Sequence, residues 1–257
     1  MIEVISLTKN YPGCRALDSI SFKVDSGLMF AFLGPNGAGK TTTIKILTGI
    51  LTPDSGEALI NGISMIKDPV GAKKLCGYLP DTPMLFEKLT GMQYLNFIMD
   101  IFEVASGERP GRVNGLIDAF ELGPHIDSVI ESYSLGTRKK LGIVAAMCHK
   151  PPVLFLDEPT SGLDPQSVRA LKDTLKEMTA GGATVFFSTH ILEVAEKICD
   201  RVAIIGSGKL VAEGSVEQLR AKHNGAGTAA GALKSLEDIF LELTSKTADN
   251  GPAFMPA

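Results

Sequence analysis

Leu28-Met29-Phe30-Ala31-Phe32-Leu33 runs straight into Gly34-Pro35-Asn36-Gly37-Ala38-Gly39-Lys40-Thr41-Thr42, and this junction decides the fold. Six consecutive apolar residues suit a strand buried on both faces of a parallel sheet. The glycine-rich run that ends it satisfies G-x-x-x-x-G-K-[ST] and opens a helix predicted over Thr41 to Leu47, the context the pattern requires. Glycines let successive N–H groups point inward, the helix N-terminus adds partial positive charge and Lys40 a full one, and Thr41 offers a hydroxyl to Mg²⁺. Such a loop predicts a cradle for a nucleoside triphosphate.

Upstream, Leu17 to Val24 alternates with period two, as a half-buried strand does. Downstream, Glu57 to Met65 folds back through Asn61-Gly62, a hairpin dipeptide, so a small antiparallel layer is expected beside the main sheet. After a strand at Leu75 to Leu79, residues from about Met84 to Lys150 lack strand alternation and carry helical spacing, as at Leu116, Ile117, Phe120 and Leu122; this predicts a helical insertion. Strand and helix then alternate again. A strand Val153 to Leu156 is followed by a helix carrying Val168, Leu171, Leu175 and Met178, then by a strand Ala183 to Ser188, a helix from Ile191 and a strand Val202 to Ile205, the rhythm of a parallel sheet. Ser215 to Gln218 has the form of a capping box, Gly225 to Gly231 reads as a Gly/Ala linker, a last helix is expected at about Leu233 to Leu243, and disorder is expected from Ser245.

The second chemical element is Val153-Leu154-Phe155-Leu156-Asp157-Glu158. Its carboxylates emerge at the C-terminal end of a buried strand, where open α/β sheets bind ligands. Asp157 is expected in the Mg²⁺ shell, and Glu158 is expected to polarise the water that attacks the γ-phosphate.

Composition narrows the classes further. The 257 residues carry a net charge of −4, which suggests neither a nucleic-acid footprint nor a polybasic anchor. The longest stretch free of Asp, Glu, Lys and Arg, Met178 to Leu192, is too short and polar to span a bilayer, and the N-terminal residues resemble no export signal. Cys14, Cys76, Cys148 and Cys199 form no C-x-x-C pair, so a reduced setting is expected.

Three further motifs stand in a telling order: Tyr133-Ser134-Leu135-Gly136-Thr137 before the acidic strand, Ser161-Gly162-Leu163-Asp164 after it, and Ser188-Thr189-His190 at the end of the next strand. From about Ile2 to Ala221 the chain resembles the ATP-binding subunits of ABC transporters. The resemblance implies a P-loop NTPase (RecA-like) α/β fold, a mostly parallel sheet with an antiparallel β layer and a helical insertion. It divides the chain into an ATPase domain at 1–221, its helical subdomain at about 84–150, and a linker, helix and tail at 222–257. By resemblance Tyr11 stacks on adenine, Gly34 to Thr42 bind the nucleotide, and Ser134, Leu135, Gly136 and Thr137 form a signature segment that acts on ATP held by a second copy. Asp164 is likened to the D-loop acid and His190 to the switch histidine at the γ-phosphate.

Two positions depart from the family pattern. Tyr133-Ser134-Leu135 stands where Leu-Ser-Gly is usual but keeps the serine and Gly136, and Asp81 replaces a glutamine that links Mg²⁺ to the helical insertion. Aspartate is shorter and, when ionised, only accepts hydrogen bonds, although it could still join Thr41 and Asp157 around the metal.

The implied cofactors are ATP and Mg²⁺. The implied partners are separate transmembrane permease subunits and a second ATPase subunit, identical or related, with no nucleic acid. The implied place is cytoplasmic, peripheral on the membrane's cytoplasmic face. Ser235 to Leu243 is similar to the C-terminal helix of ATPases that serve ABC-2 type exporters, which tilts the reading toward export. Alternatives are a soluble ABC ATPase of DNA repair or translation, which usually carries two modules or long insertions, and a P-loop GTPase or kinase. A GTPase would need an Asn-Lys-x-Asp base reader that this chain lacks, and a kinase leaves Ser134, Gly136, Asp164 and His190 without a role.

Overall fold

A computed structural model describes residues 1–223 and 235–248 of the chain. Ten strands, β1 (Ile2–Tyr11), β2 (Cys14–Val24), β3 (Met29–Leu33), β4 (Ser55–Ile60), β5 (Ile63–Ser64), β6 (Cys76–Leu79), β7 (Val153–Asp157), β8 (Thr184–Thr189), β9 (Arg201–Gly206) and β10 (Lys209–Gly214), form two sheets among these residues. The larger has the order β10-β9-β3-β8-β7-β6, parallel except for β10 at its edge; the smaller is antiparallel in the order β2-β1-β4-β5. The helices are α1 (Lys40–Leu47), α2 (Pro69–Lys74), α3 (Gly91–Ile101), α4 (Arg109–Ala119), α5 (Leu135–Met147), α6 (Pro165–Ala180), α7 (Leu192–Ile198), α8 (Val216–His223) and α9 (Leu236–Ala248).

Period-two geometry sorts the central strands into two cores. Met29, Ala31, Leu33, Leu154, Leu156, Val185 and Phe187 face the helical insertion and the helices packed with it. Phe30, Phe32, Val153, Phe155 and Phe186 face α1 and the antiparallel sheet. With both faces covered, the uninterrupted apolar strands of the sequence have no polar alternation to show. Phe186 sits within an aromatic cluster, its ring centroid 5.4 to 5.9 Å from those of Phe22, Phe30, Phe32 and Phe155. Phe186→Ala should therefore cost about 3–5 kcal/mol; a denaturant midpoint unchanged from wild type would contradict this packing.

The expected hairpin forms. Ile60 pairs with Ile63 around Asn61 and Gly62, both at positive φ. The capping box at Ser215 also forms, with the Ser215 N–H donating to Gln218 Oε1 and the Gln218 N–H to Ser215 Oγ. The last helix departs from expectation: it continues to Ala248, through the first residues assigned to a disordered tail, and is anchored by fully buried Leu236 and Ile239, with Leu236 in the insertion-side core and Phe240 and Leu243 packed against that core. The Gly225 to Gly231 linker lies outside the described residues.

The insertion is helical as predicted, comprising α3, α4 and α5. Thr90 caps α3 in a reciprocal box with Gln93, and Ser134 caps α5 by accepting from the Thr137 N–H. Every residue of α5 from Leu141 to Met147 is buried, so this helix is the insertion's own core and carries its first turn out to the surface, where Leu135 is 84% exposed.

Candidate functional site

β3 lies at the middle of the parallel sheet, so the loop after Leu33 leaves the centre of its C-terminal edge. Gly39 begins α1 at φ +110°, and a Cβ there would lie 2.6 Å from the Ala16 carbonyl oxygen; only glycine allows both the turn and the approach. No side chain caps α1 and no acid stands in its first turn. The positive end of the helix thus stays available to an anion.

Lys40 is 7% exposed, and its Nζ donates to the carbonyl oxygens of Gly34 at 2.6 Å and Pro35 at 3.3 Å. Burial lowers its pKa, opposed by the charges of Glu158 and Asp157. Glu158 Oε1 stands 3.9 Å from that ammonium, and Glu158 Oε2 is 3.0 Å from His190 Nδ1. Glu158 holds a left-handed backbone at φ +45° as the chain leaves β7. Asp157, 2% exposed, lies opposite Ser188 in the parallel register, and the Ser188 hydroxyl donates to its Oδ1. The same hydroxyl accepts from the Glu158 N–H at 3.2 Å, so one serine fixes both acids. Nearby, burial and the charges of Asp157 and Asp81 push the Tyr78 phenol up to about 12.

A cavity of about 510 Å³ joins most of the expected residues: Tyr11, Pro35, Asn36, Gly37, Gly39, Lys40, Thr41, Thr42, Asp81, Asp157 and Glu158 line it. Gly34 and Ala38 shape the loop from behind, Gly34 against the Ile205 carbonyl and Ala38 through its own carbonyl, which accepts from the Gly208 N–H. His190 reaches the site through Glu158 and is half exposed. The signature residues Ser134, Leu135, Gly136 and Thr137 are not among the lining; Ser134 Oγ instead sits 2.8 Å from Thr137 Oγ1 at the start of α5. Asp164 caps α6, accepting from the Ser167 N–H and hydroxyl and pairing with Lys140 at 3.0 Å. Those hydrogen bonds, with the Lys140 charge, hold its carboxyl well below the usual carboxylate range.

Three features escape the sequence-based expectations. Ser188 belongs to a recognised motif, yet only strand register reveals what it holds. Lys139 is a buried ammonium on α5. Cys14 lines the cavity beside Tyr11 and is exposed, whereas burial pushes the Cys76 and Cys148 thiols up to about 12 and raises that of Cys199 further.

An apolar strand, a glycine loop, an uncapped helix with its lysine, and two acids at the end of β7, one strand removed across β8, define a P-loop ATPase cassette. The ABC transporter family profile matches residues 17–161. YhcH of Bacillus subtilis (strain 168), an uncharacterised ABC transporter ATP-binding protein, is 38% identical over 212 residues, covering 82% of this chain and 68% of its own. The daunorubicin/doxorubicin resistance ATP-binding protein DrrA of Streptomyces peucetius is 36% identical over 219 residues, 85% of this chain and 66% of its own. The solved structure of an ATP-binding subunit of an ABC transporter superposes with a TM-score of 0.88 at 34% identity, over 95% of this chain and 99% of that one. The chain belongs to the ABC transporter ATP-binding family, and it is an ATPase.

Proposed function

We propose that this ATPase powers transport through separate membrane subunits, in the direction of export, by closing two copies around ATP. One observation carries the hydrolytic half of this reading: Glu158 faces the cavity's lysine on one side and His190 on the other, a carboxylate placed to accept a proton from water at the γ-phosphate. The oxygen donors Thr41 and Asp157, with Asp81 at the wall, suit a hard cation such as Mg²⁺. Among the described residues no cluster of three His, Cys, Asp or Glu side chains could hold a metal; such an ion would complete its shell with phosphate and water oxygens. There it would neutralise phosphate charge, while Lys40 and the α1 N-terminus hold the oxygens and Ser188 keeps Asp157 turned toward them.

The separation of Ser134 and Gly136 from the chain's own cavity supports a role toward ATP on a second copy. Phosphate oxygens would then find donors from both chains only in the closed state, and hydrolysis would remove that differential binding. Among the described residues no helix is long and apolar enough to cross a membrane, which favours a separate permease. Its dock is the surface where Met84, Phe86, Phe97 and Ile101 are exposed beside the Asp81 loop; Met99, from the same apolar stretch, is buried and belongs to the core. Export is favoured by the likeness to DrrA and by the packed C-terminal helix α9.

Co-expression with a neighbouring gene product of about six predicted spans tests the proposal. Co-purification from membranes with ATPase activity is expected; association with ribosomes or nucleic acid, and none with membranes, would instead support the soluble alternative. A finer check concerns the adenine end. With Tyr11 stacked on the base, Mg-ATP at ten times its Kd should slow alkylation of Cys14 about tenfold. An unchanged rate, followed by mass spectrometry, would remove Cys14 and Tyr11 from the nucleotide site.

A further inference from the structure

Arg138, Lys139 and Lys140 are consecutive on α5, and helical geometry sends them three ways. Arg138 reaches Glu87, and Lys140 reaches Asp164 and Glu121. Lys139 alone turns inward. It is 4% exposed, and its Nζ donates to the backbone carbonyl of Asp81 at 2.5 Å and stands 3.7 Å from Asp81 Oδ1. One position further along the same helical face, Gly142 receives Pro83 so closely that a Cβ would lie 2.9 Å from the proline ring. The loop that carries Asp81 from β6 into the cavity wall is therefore seated on α5 at two points.

We propose that Lys139 is a positioning residue for ATP hydrolysis: its ammonium holds Asp81 in the cavity wall and so ties the helix that begins at Ser134 to the site built from Lys40, Asp157 and Glu158. The proposal rests on the hydrolytic reading above. A buried ammonium needs acceptors. The Asp81 carbonyl provides one whatever the side chain at that position, and the carboxylate provides the counter-charge. Lys139→Met removes both grips, whereas Asp81→Asn removes only the second, and the Asp81 side chain is 58% exposed, so water replaces part of what is lost. The two losses are consequently unequal. They are also not independent, because Asp81 acts from a position that Lys139 sets.

The test uses the full chain with Lys139→Met, Lys139→Arg, Asp81→Asn and the double variant Asp81→Asn/Lys139→Met. Steady-state kinetics give kcat and KM for ATP, a fluorescent ATP analogue in EDTA gives metal-free affinity, and hydrogen exchange follows the Asp81 and Thr82 amides. Lys139→Met is expected to lower kcat about tenfold, with metal-free affinity held within about threefold and faster exchange at both amides. Asp81→Asn should lower kcat about threefold, the double variant should match Lys139→Met alone, and Lys139→Arg should recover part of the loss. Losses that multiply in the double variant, or unaltered exchange at Asp81 and Thr82 in Lys139→Met, would overturn the tie. A wild-type chain that hydrolyses no ATP would overturn the functional reading instead, since the exchange result does not depend on turnover.

Discussion

Glu158→Gln should lower turnover about 10²–10⁴-fold, the range for removing a positioned general base, while ATP stays bound and a dimer accumulates. The substitution keeps the side chain's size and a hydrogen-bonding atom toward His190 Nδ1, so the walls of the site stay in place. What it removes is the carboxylate that takes the proton. It also removes a negative charge 3.9 Å from Lys40 and next to where phosphates would sit, so affinity for ATP should hold or rise. If opening of the pair waits on hydrolysis, the arrested variant should elute as a dimer with ATP and as a monomer without it. Undiminished turnover would remove Glu158 from the chemistry, and a monomer at saturating nucleotide would sink the proposed closure.

Lys40→Met is expected to act at the earlier step. A charge-assisted hydrogen bond contributes about 1.5–3 kcal/mol, so the Kd for ATP should rise roughly 10–150-fold by calorimetry, with turnover falling at least as far. Two effects add here: the ammonium is lost, and Asp157 and Glu158 are left without the cation that offsets their repulsion of phosphate. The loop should keep its path, because Gly34 stays packed on β9 and the Ala38 carbonyl still accepts from Gly208. Wild-type affinity in this variant would mean that the cavity is not the triphosphate site.

The central strands, the phosphate loop and the acidic strand were legible in the sequence because each follows from local chemistry. An apolar run needs two covered faces, and glycines before a lysine leave few alternatives. The first strand was not read, because its buried residues Ile2, Val4 and Leu7 break period two at a bulge where Ser6 takes a positive φ. β10 escaped for another reason: it is an edge strand of mostly half-buried residues. α2 is six residues long and rests on its Asp68 cap, too little for a periodicity to show. At the site, residue types announced the phosphate chemistry, but pairings across the sheet did not announce themselves. Ser188 meets Asp157 only through the β7–β8 register, and Lys139 differs from its two basic neighbours only by 100° of helical rotation. Likewise the apolar stretch from Met84 to Met99 divides into surface and core only once α3 is seated.

The left-handed turn at Glu158 carries a consequence for how this chain would respond to breeding for heat tolerance. An L-residue in that conformation costs roughly 1–2 kcal/mol, which glycine would not incur. Selection for thermal endurance alone could relieve that cost with glycine only by stripping buried Lys40 of one counter-charge and His190 of its partner, so the acid persists there against a standing conformational penalty.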